Sequence, residues 1–413
     1  MSTGPGSDAA GPPTCRPPRP GASPILPVAS GGWPAGAGPL REVQVVELAG
    51  QGPGPFAGML LADMGAEVIR VERAGPVSPE RRQADVHGRG RRSIAIDLKD
   101  QRGVDIVLDL LDTADVLVEG FRPGVAERLG LGPKECLARN RRLVYGRVTG
   151  WGQDGPLAGL AGHDINYLAF SGALHAIGPA GGDPAVPLNL VADYGGGGAF
   201  LVIGVLAALL EARVTGTGQV VDAAMIDGVA AMMAPFYAMA ATGTWSEERG
   251  THLLDSGAHF YGVYRTADDR WVAVGAIEGQ FYRALMTLVD IDTDTVPAQM
   301  DRASWAALRA RLAEVFATRD RDAWVSHFAG HEACFFPVLS MNETTRHPHA
   351  RARAMFEEVN GVPHPRPAPR FSATGPLPAR PIEGLGDSTD ELLRRIGRTQ
   401  TQTAALRADG VVA

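Results

Sequence analysis

Short apolar runs alternate with segments of helical period from residue 43 to residue 149, and that rhythm restricts the chain to a parallel α/β sheet. Residues 43–48 form an apolar strand, 49–55 a Gly/Pro turn, and 56–64 a helix that Gly65 ends. Residues 66–71 make the second strand and complete a β-α-β unit. Strands follow at 93–98, 116–120 and 143–149, with helices at 100–112, capped by Asp100, and at 133–139. Parallel neighbours need crossovers that run over the sheet faces. The expected architecture is therefore α/β, a doubly wound parallel sheet with ligands at the carboxyl ends of its strands.

The rhythm changes downstream. A buried apolar helix at 200–213 and a strand at 219–223 still fit the first pattern, and 225–241 reads as one long apolar helix. Beyond Thr242, residues 261–266 and 271–276 flank Ala267-Asp268-Asp269-Arg270 as an antiparallel hairpin, followed by helices at 278–289, 302–317 and 320–328. The expected organisation is a Pro/Gly-rich disordered tail over 1–38, a large domain over 39–244, a smaller α+β domain over 245–340, and a segment over 341–413 returning to the large domain. No run reads as a membrane span: 199–210 is short and stops at Glu211, and 223–241 contains Asp227 and Pro235. A net charge of −7 argues against a nucleic-acid-binding surface. Three scattered cysteines, Cys15, Cys136 and Cys334, suit a reducing, cytoplasmic setting.

Chemistry concentrates between residues 162 and 198. His163 and Asp193 supply two proton carriers, and the four glycines 195–198 open an apolar helix where bare backbone N–H groups would face an anion. That combination suits proton transfer at a carbon beside a polarised carbonyl. Plainer roles fit the same residues: Asp193 and Asp164 as helix caps, His163 as a hydrogen-bonded structural histidine, Glu278 as a favourable first-turn charge. His331 with Cys334, and His347 with His349, are too few for metal sites.

Gly50-Gln51-Gly52-Pro53-Gly54-Pro55 after the first strand, with Glu72 ending the second, approximates a dinucleotide fingerprint. Pro55 stands where a third glycine would permit close helix–strand packing, which counts against a nicotinamide cofactor. Arg73, Arg89, Arg91, Arg92, Lys99, Arg122 and Arg128 gather near the expected strand ends, and only Lys99 and Lys134 are lysines. Guanidinium groups bind phosphate bidentately, and Arg122, directly after a strand, reads as a phosphate ligand. A phosphate site beside a carbonyl-activating site points to a coenzyme A thioester.

Ordered blocks carry a resemblance. They are Val45-Val46-Glu47-Leu48-Ala49-Gly50, Asp97-Leu98-Lys99, Glu119-Gly120-Phe121-Arg122-Pro123-Gly124, Thr149-Gly150-Trp151-Gly152-Gln153 and Gly162-His163-Asp164-Ile165-Asn166-Tyr167. Further on come residues 219–225, 274–278 and 367–372. Across residues 40–372 the chain resembles the α-methylacyl-CoA racemases of the family III CoA-transferase superfamily. The resemblance implies a role in lipid and fatty-acid metabolism, interconverting 2R and 2S 2-methylacyl-CoA by 1,1-proton transfer through an enolate. It implies that His163 and Asp193 exchange the proton and that Glu278 supports the histidine from the other subunit of an interlocked homodimer. It also implies that Arg73, Ile96, Asp97, Leu98, Lys99, Gly120, Phe121, Arg122, Arg128, Gly162, Asp164, Ile165, Asn166 and Tyr167 contact the coenzyme. No metal and no cofactor are expected beyond the CoA that the acyl-CoA thioester itself carries. In relatives that transfer CoA, the aspartate matching Asp193 is the nucleophile, which makes a CoA-transferase the alternative. Gln51 stands where the racemases tend to have an apolar residue, and Gly279 follows Glu278 where a proline is common.

Overall fold

A computed structural model describes residues 38–75, 85–374 and 381–413, so the expected disordered tail lies outside the described residues except for Gly38. Strands β1 (Gln44–Leu48), β2 (Glu67–Glu72), β3 (Arg91–Ala95), β4 (Val116–Glu119), β5 (Val144–Thr149) and β6 (Val220–Ala224) make one six-stranded sheet ordered β3-β2-β1-β4-β5-β6. Every neighbouring pair is parallel, as the alternation of strands and helices requires. The helices that matter here are α1 (Pro53–Asp63), α2 (Gln101–Leu111), α3 (Pro133–Arg139), α4 (Asp164–Phe170) and α5 (Phe200–Thr215).

Adjacent side chains along each strand go to different cores. Val45, Val68, Val116, Val118 and Val148 meet Ala57 and Leu61 of α1 and Leu201 and Val205 of α5. Val46, Leu48, Ile69, Ile94 and Leu117 face the other way, onto Val104, Val107 and Leu111 of α2. Both faces are covered, so the sheet is doubly wound. The end of the chain joins the second core through Leu392, Leu393, Val411 and Val412, and Val412 forms a β-bridge with Ile96.

Helices α6 (Met225–Met232) and α7 (Ala234–Ala241) replace the single helix expected over 225–241. Pro235 has no N–H to give the ladder, and the break falls just before it, at Met233. The hairpin β7 (Tyr261–Arg265) and β8 (Trp271–Gly275) is antiparallel, as its turn residues imply, and gains a third strand β9 (Phe335–Pro337). That strand is only three residues long and ends in proline, so nothing in its pattern announces it. Helices α8 (Gly279–Leu288), α9 (Trp305–Phe316) and α10 (Arg321–Phe328) close a separate aromatic core around Phe260, Trp305, Phe316 and Trp324.

Two expectations are corrected around α5. Its outer face is exposed, with Ile203 at 61%, Leu210 at 68% and Val214 at 74%, so it is not a helix buried on all sides. It also continues the preceding helical turns without a break, giving a 26-residue run from Leu190 to Thr215 that is long and apolar enough to cross a membrane. Counting from residue 199 missed this, because Asp193 and the glycines looked like a boundary. The inner face of the run packs on the sheet as a core helix does: a Cβ on Gly146 of β5 would lie 3.0 Å from Leu201.

Inside the sheet, Arg91 forms an ion pair with Glu47, both almost fully buried, and also donates to the carbonyl of His87. Gly58 of α1 leaves room for the pair: a Cβ there would lie 2.1 Å from Glu47 Oε2. Replacing Glu47 with Ala strands a buried guanidinium and is expected to cost about 3–5 kcal/mol. Urea titration followed by far-UV circular dichroism measures the loss, and an unchanged midpoint would contradict it.

Candidate active site

A cavity of about 410 Å³ opens at the carboxyl ends of β1, β4 and β5, where the strand order reverses direction. Each strand delivers a different wall. After β1, Gly52 takes a left-handed φ of 68° and starts α1, with Pro53 as its first residue. This turn brings the Gly52 backbone against the Asp193 carboxylate: a Cβ on Gly52 would lie 2.9 Å from Asp193 Oδ2. After β4, the buried Glu119 accepts the Phe121 N–H at 2.7 Å and pairs with Arg147 Nε at 2.7 Å, which fixes the turn carrying Gly120, Phe121 and Arg122 into the cavity. Burial raises the Glu119 pKa against the opposing pull of that amide and Arg147. After β5, Gly150 and Gly162 make way for the Tyr167 ring, and Trp151 meets it edge-on at 4.9 Å.

His163 directly precedes α4 and lies exposed in the cavity wall, its N–H donating to Asn166 Oδ1 at 3.0 Å. Asp193 lies on the opposite segment, in a π-helical stretch, Leu190–Ala199, that runs straight into α5. Asp164, next to His163 and buried, accepts the N–H groups of Ala192 at 2.9 Å and Asp193 at 2.8 Å. Asp164 is therefore a helix cap, as its plainer role implied, but it caps the segment that carries Asp193 and not its own helix. Asp193 is no cap; Asn189 starts the segment, and its Nδ2 donates to Asp193 Oδ2 at 3.1 Å. Burial raises the Asp193 pKa and the nearby Asp164 charge adds to this, while Asn189 and His163 oppose it.

The glycine row does not do what its sequence implied. Residues 195–198 sit inside the π-helical stretch, past its first turn, so their N–H groups belong to the helix. Their missing side chains admit neighbours instead: a Cβ on Gly197 would lie 2.8 Å from Met225, one on Gly198 2.7 Å from Phe56, and one on Gly196 2.9 Å from the Met225 carbonyl. Glu72, at the end of β2, is buried and accepts from Ser93 Oγ.

The expected basic cluster divides. Arg89 is buried on Asp63 and Arg91 on Glu47, while Arg92 bridges Glu67 and Glu391; these serve the fold. Arg91 and Arg92 open β3 at its amino end, opposite the carboxyl edge where the cavity lies. Arg73, Lys99, Arg122 and Arg128 remain exposed, and of these Arg122 lines the cavity. Ile96 is buried against Val412, Asp97 donates its N–H to the Val411 carbonyl at 2.8 Å, and Leu98 packs partly buried against the same core, all outside the cavity wall. Gly162 and Tyr167 line it with His163, whereas Ile165 and Asn166 face solvent on α4. Glu278 is exposed at the start of α8 and does not line the cavity that holds His163.

Sequence reasoning gave no role to Asn189, Tyr194 or Glu119. The Asn189–Asp193 spacing of four residues was a readable signal, since such residues share a helix face. Tyr194 stacks against Phe56 at 4.7 Å and meets His87 edge-on at 5.3 Å, contacts that depend on distant segments.

Comparison with known proteins fits this geometry. The profile of CoA-transferase family III matches residues 40–383. The α-methylacyl-CoA racemase of Mus musculus is 44% identical over 375 residues, spanning 90% of this chain and 97% of that protein. The α-methylacyl-CoA racemase of Homo sapiens is 42% identical over 376 residues, with 90% and 97% covered. Among solved structures, a CAIB/BAIF family protein from Brucella suis superposes with a TM-score of 0.76 at 28% identity, covering 87% of this chain and 100% of that one.

Because the Asn189 amide lowers a pKa that burial raises, Asn189→Leu is expected to push the Asp193 carboxyl higher still. NMR titration of carbon-labelled aspartate reads this directly; a fall in that pKa would overturn the electrostatic account.

Proposed function

This chain belongs to CoA-transferase family III, and from that premise we propose that it is a racemase interconverting 2R and 2S 2-methylacyl-CoA thioesters. The observation that carries the reading is the pairing of His163 and Asp193 on one cavity, with the Asp193 pKa raised by burial towards the imidazole range. One group takes the C2 proton from one face of the acyl carbon, leaving a planar enolate, and the other returns a proton to the opposite face. The pair then holds a single proton in two arrangements: neutral His163 with protonated Asp193, or imidazolium with carboxylate. Racemisation alternates between them, so a raised carboxyl pKa narrows the gap that each turnover crosses. Only protons move, and the reaction calls for no cofactor beyond the coenzyme in the substrate.

The enolate needs positive potential. The amino end of the eleven-residue helix α1 supplies it at Gly52 and Pro53, beside Asp193. Exposed Arg73, Lys99, Arg122 and Arg128 follow the carboxyl ends of β2, β3 and β4, and they are assigned the phosphates of CoA. Glu278 is assigned to the His163 of a second copy. The exposed apolar stripe of Ile203, Leu210 and Val214 on α5 supports such a homodimer.

A single epimer of a 2-methylacyl-CoA incubated in heavy water is expected to gain deuterium at C2 and lose optical purity, with no acceptor acid present. His163→Ala and Asp193→Asn should each slow this by about 10²–10⁴. Exchange that survives both replacements, or turnover only when a free carboxylic acid is added, would favour the CoA-transferase alternative. Since the Asp193 pKa is raised, activity should fall as pH drops through a value above the ordinary 3.8 of an aspartate. Co-expressing His163→Ala chains with Glu278→Gln chains tests the shared site: a mixed dimer regains one intact site only if Glu278 acts across subunits, and no regain sinks that assignment.

A further inference from the structure

We propose that Gln51 selects the acyl group, favouring 2-methylacyl chains that carry an oxygen function, an ether or hydroxyl, a few carbons beyond C2. The inference rests on the racemase reading and deepens it. Gln51 lines the cavity immediately before Gly52, whose backbone abuts the Asp193 carboxylate, which puts Gln51 on the Asp193 side of the cavity. Two nearby polar side chains of the cavity are engaged. Thr149 Oγ1 accepts from the Gly152 N–H at 3.1 Å, and the Asn189 amide donates to Asp193 at 3.1 Å.

The Gln51 amide has no hydrogen-bond partner among the described residues and is solvated while the cavity is open. Pro53, Val148 and Met225 make the neighbouring wall apolar. A purely aliphatic chain would displace water from the amide and return nothing to its donor or acceptor. A chain oxygen at that level accepts the amide N–H and removes the penalty. An amide left unpaired on substrate binding discriminates more sharply than an apolar wall that merely gains or loses a methylene.

The test uses two single-epimer substrates of equal length, one wholly aliphatic and one with a chain methylene replaced by an ether oxygen. Deuterium uptake at C2 gives kcat/KM for each. The wild-type protein is expected to prefer the ether by about tenfold, and Gln51→Leu to lose or invert that preference by improving on the aliphatic chain. A preference unchanged in Gln51→Leu, or a wild-type preference for the aliphatic chain, overturns the role of Gln51 while leaving the racemase reading intact. Absence of exchange with either substrate in the wild-type protein overturns the racemase reading itself, and this inference with it.

Discussion

The site is held together by one buried carboxylate that performs no chemistry. Asp164 follows His163 in the chain and accepts the backbone amides of Ala192 and Asp193, so the segments carrying His163 and Asp193 are joined through a single side chain. The two segments are separated by 28 or 29 residues of chain and belong to different helices, yet their relative position is set by two charge-assisted hydrogen bonds. The same negative charge acts on the Asp193 carboxyl, helping burial raise its proton affinity. Position and protonation are therefore fixed together. A neutral cap would hold the amides without contributing to that electrostatic adjustment.

Around that link the fold divides its labour by the ends of the strands. Turns at the carboxyl edge of β1, β4 and β5 contain Gly52, Gly120 and Gly150, and Gly52 and Gly150 let the Asp193 carboxylate and the Tyr167 ring come close. The rest of the sheet interior is used for stability, including the Glu47–Arg91 pair that Gly58 accommodates. Arginine thus stands in two settings in one stretch of sequence: buried and ion-paired at Arg89 and Arg91, exposed at Arg73 and Arg122.

How much of this could be read beforehand depended on the range of the interactions involved. The parallel sheet was legible because apolar period and turn residues are local. His163 and Asp193 could be singled out because they fall within one short stretch, and both line the cavity. The link between their segments through Asp164 was not legible, because a cap that reaches a different helix leaves no spacing signature. Arg91 reads as a surface charge until Glu47, 44 residues away, is placed beside it. The glycines at 195–198 misled for a related reason. A run of glycine looks the same whether it offers its backbone to a ligand or clears space for a neighbouring helix, and only Met225, Pro53 and Phe56 in their folded places decide between the two.

The unbroken helical run from Leu190 to Thr215 has two ends that face different surroundings. Near one end it carries the Asp193 carboxylate; towards the other it presents Ile203, Leu210 and Val214 to the outside. At about 1.5 Å of rise per residue, a helix of this length is about as long as a small domain is wide. The segment that carries Asp193 is therefore continuous with a helix whose outer ridge forms part of the protein surface.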